Sequence, residues 1–399
     1  MKPRQSESQT LLQSFRSAGD CNPISENPPT TGVKPMKNKT ALIALAAFCV
    51  ACGIATSAIA DTPRAATFEG RQAFTVTVPD GAKKIRLWLA MPQDDSASDV
   101  RSFKVESPFP YSFEKDNEGN RYVFIEVNEP TQKEFTVVQT FTITRREILN
   151  NMDAASKATR PFTDEERAAM AKYLTANQHV IINDEIRQIA AKVVGDEKNP
   201  LLAARKLYDW TLDNIVYWVK DPKNKKASPV GSTEYCLANK TGNCTDFHSL
   251  WTSLARAAGI PTRIVYGSFF KKELNGQDAD QSYHCWPEFY VPNVGWVPHD
   301  VAVAEIFKGE YPITEDNARL VRLTTADGYS GPDQAKVDYY FGNIDERRVV
   351  WSVGRDLILN PRQDGGPVNA IAKAYMEADG KPVAENVGWK RKLTFKEAK

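Results

Sequence analysis

Three side chains in this sequence are of the right types to act together on a carbonyl: Cys244, His284 and Asp300. A cysteine attacks as thiolate, and a free thiol, with a pKa of about 8.5, is mostly protonated at neutral pH. The positive end of a helix and a neighbouring imidazolium both lower that value. Cys244 has the first by position. Gly242-Asn243 precede it, and Phe247, Leu250, Trp251, Leu254, Ala255 and Ala258 follow at helical spacing until Gly259, with Pro261 just beyond. His284 can supply the second. It stands near the start of a predicted strand, 283–291, which the turn Pro292-Asn293-Val294 joins to a second strand at 295–297, and Asp300 follows just past its end. Across such a hairpin a carboxylate can hold the imidazole in its useful tautomer. Cys244 is then the nucleophile, His284 the base and later the acid, and Asp300 the orienting group. The backbone N–H of Cys244 is one natural oxyanion donor.

The elements that must position these groups follow from the pattern around them. Residues 61–150 read as a small antiparallel β-sandwich. Alternating apolar positions mark strands at 72–78, 84–89, 122–127 and 135–144, separated by turns such as Pro79-Asp80-Gly81 and Asn117-Glu118-Gly119-Asn120. Helices take over in 151–310. Thr163-Asp164-Glu165-Glu166 has the form of a capping box opening a helix to about residue 176. Further helices are expected over 184–194 and 200–215, the latter with Leu201, Ala204, Leu207, Tyr208, Thr211 and Leu212 on one face. A short strand is expected over 262–266. Residues 311–399 read as a C-terminal α/β extension packing on the core, with strands at 349–353 and 356–359.

The blocks around the three candidate residues resemble a known family. Gly242-Asn243-Cys244-Thr245-Asp246-Phe247-His248 followed by Arg256-Ala257-Ala258-Gly259-Ile260-Pro261-Thr262-Arg263 is similar to the cysteine block of the transglutaminase-like superfamily. His284-Cys285-Trp286-Pro287-Glu288-Phe289-Tyr290 resembles its histidine block, and Gly295-Trp296-Val297-Pro298-His299-Asp300 its aspartate block. The likeness is strong from about Leu201 to Ala304, and a weaker likeness to exported bacterial members reaches Tyr340-Phe341-Gly342 and Arg355-Asp356. It implies an α+β fold with a papain-like core and thiol-based acyl transfer. Two departures stand out. Val301-Ala302-Val303-Ala304 occupies the place where exported relatives more often carry Ala-Ser-Glu-Ala. The indole that supports the transition state in true transglutaminases has no match, since neither Trp210 nor Trp218 lies in a motif, so the second oxyanion donor is unassigned.

Several classes fall away on composition. Of 399 residues, 42% are hydrophobic and 25% charged, enough for a packed core, and the net charge of +1 with no basic cluster argues against nucleic acid. Residues 1–35 read as a polar upstream extension. Residues 36–60 read as a signal peptide, with Lys37 and Lys39, an apolar run from Ala41, and Ala58-Ile59-Ala60 before a cleavage at Asp61. That run is shorter than the roughly 20 residues a membrane span needs, and later segments are no better suited, so the protein is expected to be exported, periplasmic or secreted. A lipid anchor on Cys52 is the lesser alternative.

Past residue 60 three cysteines remain, Cys236, Cys244 and Cys285. A disulfide between Cys236 and Cys285 would leave Cys244 as the single free thiol. A zinc site using Cys236, Cys244, His248, His284 and Cys285 lacks the paired spacing of structural zinc sites. No cofactor and no metal are expected. His248, one helical turn after Cys244, is expected to pack, and His299 to be exposed or structural. The expected partner is a protein or peptide substrate. Hydrolysis of a peptide or isopeptide bond and cross-linking differ only in whether water or an amine takes the acyl group, and hydrolysis is favoured in water. A catalytically silent binding module on the same fold is the alternative of a different class.

Overall fold

The computed structural model describes residues 62–326 and 328–398. The expected upstream extension and signal peptide lie outside these residues. Two antiparallel sheets make up the β-rich part, and two buried apolar clusters draw on both of them. The first has the order Trp389–Glu397, Ala65–Thr77, Glu134–Arg146, Ser98–Glu106, and the second Lys381–Pro382, Ala374–Ala378, Lys84–Ala90, Arg121–Asn128, Tyr111–Lys115. Phe74, Val76, Phe135 and Val137 of the first sheet meet Ile85, Leu87, Leu89, Val123 and Ile125 of the second, all buried. Their period-two alternation is what allows each strand to bury one face here.

The C-terminal residues do not form one extension. Trp389–Glu397 pairs with Ala65–Thr77, Ala374–Ala378 pairs with Lys84–Ala90, and Arg348–Val353 joins a third sheet. Open edges attract them: strands at a sheet edge carry unpaired N–H and C=O groups that another strand can satisfy. The strand expected at 356–359 does not form. Asp356 adopts a left-handed conformation with φ of 53°, its carboxylate accepting from the Gln178 N–H, and Leu357 makes only an isolated bridge to Val368. Two half-exposed strands, Ser98–Glu106 and Tyr111–Lys115, are additional to the expected set.

The third sheet, Gly295–Pro298, Tyr283–Val291, Thr262–Phe269, Arg348–Val353, is antiparallel throughout. Against it lies the helix Cys244–Ala257, in which each residue from Cys244 to Arg256 is buried. A helix enclosed on all sides is a core element rather than a surface one. The helices Asp184–Val194 and Pro200–Asn214 pack on it, capped by Asn183 and Asn199. All six apolar-face residues expected for Pro200–Asn214 are buried. The Thr163 capping box forms, but its helix stops at Ala169 and gives way to a short 3-10 turn, Ala171–Tyr173. This arrangement of antiparallel sheets and helices is an α+β fold. Among the described residues no helix is long and apolar enough to cross a membrane.

Candidate active site

Cys244 is the first residue of its helix. The side chain of Asn243 accepts the Asp246 N–H, and the carboxylate of Asp246 reaches back to the Asn243 N–H, 2.9 Å away. The same carboxylate accepts the N–H groups of Ser228 and Ser232 and the hydroxyl of Ser228, tying the preceding loop to the helix start. Gly242 is required there, because a Cβ would lie 2.3 Å from the Cβ of Asp246. The thiol therefore sits at a fixed point on the positive end of a rigid helix.

His284 comes from the adjacent strand Tyr283–Val291, and the three expected residues converge. The His284 Nε2 lies 2.7 Å from Asp300 Oδ2, which leaves Nδ1 for Cys244, to which His284 is hydrogen-bonded. Asp300 caps the following helix, Val301–Phe307, by accepting the Val303 N–H at 3.0 Å, and so cannot swing away. Cys244 is 4% exposed, His284 2% and Asp300 0%.

Electrostatics favour a thiolate–imidazolium pair. A hydrogen bond from the Cys285 thiol is the largest influence on Cys244. Burial opposes it, but that bond and the His284 charge together hold Cys244 well below the ordinary thiol range. Burial alone would push His284 down, yet the charges of Asp300 and Cys244 outweigh it and raise the imidazole to about 9. Asp300 resists burial in the same way, kept well below the usual carboxylate range by His284 and Arg348.

Arg348 was not legible from motifs. It lies 48 positions from Asp300 on the edge strand Arg348–Val353, fully buried, with Nη1 hydrogen-bonded to Asp300 Oδ2 and Nε 2.8 Å from Asp345. Its guanidinium stacks over Phe269 at 4.3 Å, and Phe269 in turn packs against His284. Tyr217 was also missed. It belongs to a two-residue strand, Val216–Tyr217, that runs parallel to Thr241–Gly242 with Tyr217 opposite Gly242, two positions before Cys244. Its buried hydroxyl is hydrogen-bonded to Cys244. The backbone N–H of Tyr217 is pinned by Glu305 at 3.1 Å, and Glu305 pairs with Lys220 at 2.9 Å. The run Ile215-Val216-Tyr217 after a helix end was the one available signal for it.

The other candidates sort themselves by position. His248 is fully buried; its Nδ1 is 3.2 Å from the Cys285 sulfur and its Nε2 lies 3.3 Å from Asp300 Oδ1, off the line of a good hydrogen bond. His299 is buried against Trp251, Tyr208 and Phe289, with neither ring nitrogen hydrogen-bonded, so it is a packing residue rather than an exposed one. The Cys236–Cys285 disulfide that the sequence left open does not form: Cys236, Cys244 and Cys285 are free, and the Cys285 sulfur faces Thr245 and His248 on the cysteine helix. Among the described residues no group of three or more His, Cys, Asp or Glu has metal-holding geometry.

Access to the pair is narrow. A helix, Glu315–Thr324, touches both rims: the turn Trp218–Lys220 after Tyr217, and the turn Asp280–Ser282 before Tyr283. Asn317 donates to the Lys220 carbonyl at 3.0 Å and Arg319 to Gln281 at 2.6 Å. Beside Cys244 opens a groove of about 410 Å³ whose lining includes Gly231, Asn243, Thr245, Tyr283, Lys373 and Trp389.

Residues 187–301 match the profile of the transglutaminase-like superfamily. An uncharacterised protein of Haemophilus influenzae is 28% identical over 362 residues, covering 84% of this chain and 92% of its own length. The uncharacterised protein YebA of Bacillus subtilis is 25% identical over 169 residues, 39% of this chain and 22% of YebA. Among solved structures, a candidate cysteine protease from Cytophaga hutchinsonii superposes with a TM-score of 0.52 at 17% identity, covering 84% of this chain and 92% of that one. Fold and profile agree: residues 187–301 form a transglutaminase-like domain, and Cys244, His284 and Asp300 lie inside it.

Proposed function

We propose that the protein is a cysteine-dependent amide hydrolase or acyltransferase, with hydrolysis of peptide or isopeptide bonds as its main reaction. One observation carries the reading: a thiol on the first turn of a buried helix, hydrogen-bonded to an imidazole that is itself 2.7 Å from a buried carboxylate. Cys244 attacks the carbonyl carbon, and the oxyanion is taken by its own backbone N–H and the Tyr217 hydroxyl. His284 protonates the departing amine, leaving an acyl-enzyme. Water, activated by the then neutral His284, releases the acid and restores the thiol. An amine in place of water gives cross-linking by the same steps, and bulk water is the more abundant acceptor. Asp300 orients His284, and Arg348 holds Asp300. The apolar run within 36–60 supports export of the protein as part of the same proposal.

The test is to supply quenched peptide and isopeptide substrates together with a labelled primary amine, comparing wild type with Cys244→Ala. Release of acid dependent on Cys244 supports hydrolysis, whereas dominant incorporation of the amine supports cross-linking. The near-complete burial of Cys244 and His284 favours one other reading, a silent binding module. Absence of both products, with wild type and Cys244→Ala equal in complementing a deletion strain, would establish that reading instead.

A further inference from the structure

Glu305 touches none of the reacting atoms, yet it ties two parts of the site together. It lies on the helix Val301–Phe307 that Asp300 caps, and its Oε2 accepts the Tyr217 N–H at 3.1 Å. Tyr217 needs that acceptor. Its strand is two residues long and pairs on one side only, with Thr241–Gly242. A buried backbone N–H without an acceptor is costly, and a carboxylate makes a charge-assisted bond stronger than a neutral one. The other carboxylate oxygen is fixed as well. Oε1 lies 2.9 Å from Lys220 Nζ, which also donates to the Lys308 carbonyl at 2.9 Å and sits over the Tyr311 ring at 4.7 Å.

We propose that Glu305 is a positioning residue for acyl transfer, whose ionised carboxylate holds the Tyr217 backbone so that the phenol hydroxyl meets the oxyanion. This rests on the reading of Tyr217 as an oxyanion donor. Protonation of Glu305 removes the charge that faces Lys220, loosens the clamp and lets the donor drift. No bond to Glu305 other than that O–H forms or breaks.

The surroundings make this carboxylate sensitive to pH. Burial first pushes Glu305 up to about 7, and Lys220, the Tyr217 N–H and Lys308 oppose the rise. The hydroxyls of Tyr311 and Tyr329 lie in its field, and burial raises both, so they stay neutral. The helices packed against it add little charge at Glu305. Pro200–Asn214 brings Asp213, which pairs with Lys308; Gln334–Tyr339 brings Lys336, which lies over the Phe307 ring; the cysteine helix turns His248 towards Asp300. A cavity of about 660 Å³, whose lining includes Glu305, Lys220, Lys308 and Tyr311, gives protons a route to the pair.

Two reactions of Cys244 separate the thiolate from the oxyanion site. Alkylation by iodoacetamide develops no oxyanion. Acetylation by p-nitrophenyl acetate does: the thiolate attacks the acetyl carbon, a thioester forms and p-nitrophenolate leaves. Both rates are measured against pH on the full-length protein, the second after quenching to one pH. The set is wild type, Glu305→Ala, Glu305→Gln, Tyr217→Phe and Cys244→Ala. Glu305→Ala should lower acetylation about tenfold, less than the loss of a whole donor, with alkylation little changed. In wild type, acetylation should fall relative to alkylation below about pH 7. Glu305→Gln keeps an oxygen for the Tyr217 N–H, so it should restore most of the rate and abolish that fall. Unchanged acetylation in Glu305→Ala, or the same fall persisting in Glu305→Gln, would overturn the positioning role. Equal losses of both reactions in Glu305→Ala would overturn it too, as the sign of general damage; where that variant does not fold, the profile of Glu305→Gln decides. Unchanged acetylation in Tyr217→Phe would remove the donor and its clamp but leave Cys244 as the nucleophile. Acetylation no faster than in Cys244→Ala would bring down acyl transfer itself.

Discussion

At the scale of single residues, the site depends on charges that stabilise one another where none would be tolerated alone. Cys244, His284, Asp300 and Arg348 are all buried, and each is held in its charged form by the next. Breaking such a chain by removing one member leaves an uncompensated buried charge, which costs about 3–5 kcal/mol. Arg348→Met should therefore lower stability by that order in denaturant unfolding, and should also reduce turnover because Asp300 loses its anchor. The pH profile carries a second signature. Acyl transfer needs His284 protonated, and its raised pKa places the alkaline limb of activity near pH 9, while the acid limb falls below the ordinary thiol value because Cys244 is lowered. The same His284 shift contributes stability that is fully present below the usual imidazole pKa and lost as pH rises through about 9. Tyr217→Phe removes one oxyanion donor and should reduce kcat by about a hundredfold with little change in KM, read from steady-state kinetics on any substrate found.

Elements set how these residues meet and what reaches them. The cysteine helix and the His284–Asp300 hairpin were readable because helical spacing, a turn tripeptide and three short motifs are all local signals, and the observed helix Cys244–Ala257 and strands Tyr283–Val291 and Gly295–Pro298 follow them closely. Arg348 and Tyr217 were not readable for the opposite reason. They reach the site through strand pairings with Thr262–Phe269 and Thr241–Gly242, and pairing between distant segments leaves no mark at either one alone. The partner of Cys285 stayed open because cysteine counting identifies how many thiols need partners but not which are neighbours. The helix Glu315–Thr324 is joined to each rim by a side-chain hydrogen bond, which would make it a gate to the site. Arg319→Ala with Asn317→Ala should speed alkylation of Cys244 by iodoacetamide without altering its pH dependence. An unchanged rate would mean that reagents enter from the groove beside Thr245 instead.

Over the whole molecule, the two ends of the described chain are built into one another. The β-rich part was recognisable from alternation in its N-terminal strands, but its closing strands come from the other end of the chain, and Met376, Trp389, Leu393 and Phe395 fill its cores. Short C-terminal strands are weak local signals, and their place is decided by which edges are open. Phe270, which follows the strand Thr262–Phe269, stacks on Phe395 at 4.3 Å, so the C-terminal strand also supports the sheet that carries His284. A chain ending before Ala374 should consequently lose cooperative thermal unfolding rather than persist as a smaller active core, which circular dichroism would read directly.

Cys244 is held as a thiolate by the Cys285 hydrogen bond, against the cost of burial, together with the charge and hydrogen bond of His284. The most direct measurement is the rate of Cys244 alkylation by iodoacetamide against pH, with peptide mapping, in wild type and His284→Ala. The expected result is rapid labelling that persists well below the free-thiol pKa of about 8.5 and disappears in the variant. Labelling that rises only near that pH, and equally in both proteins, would contradict it.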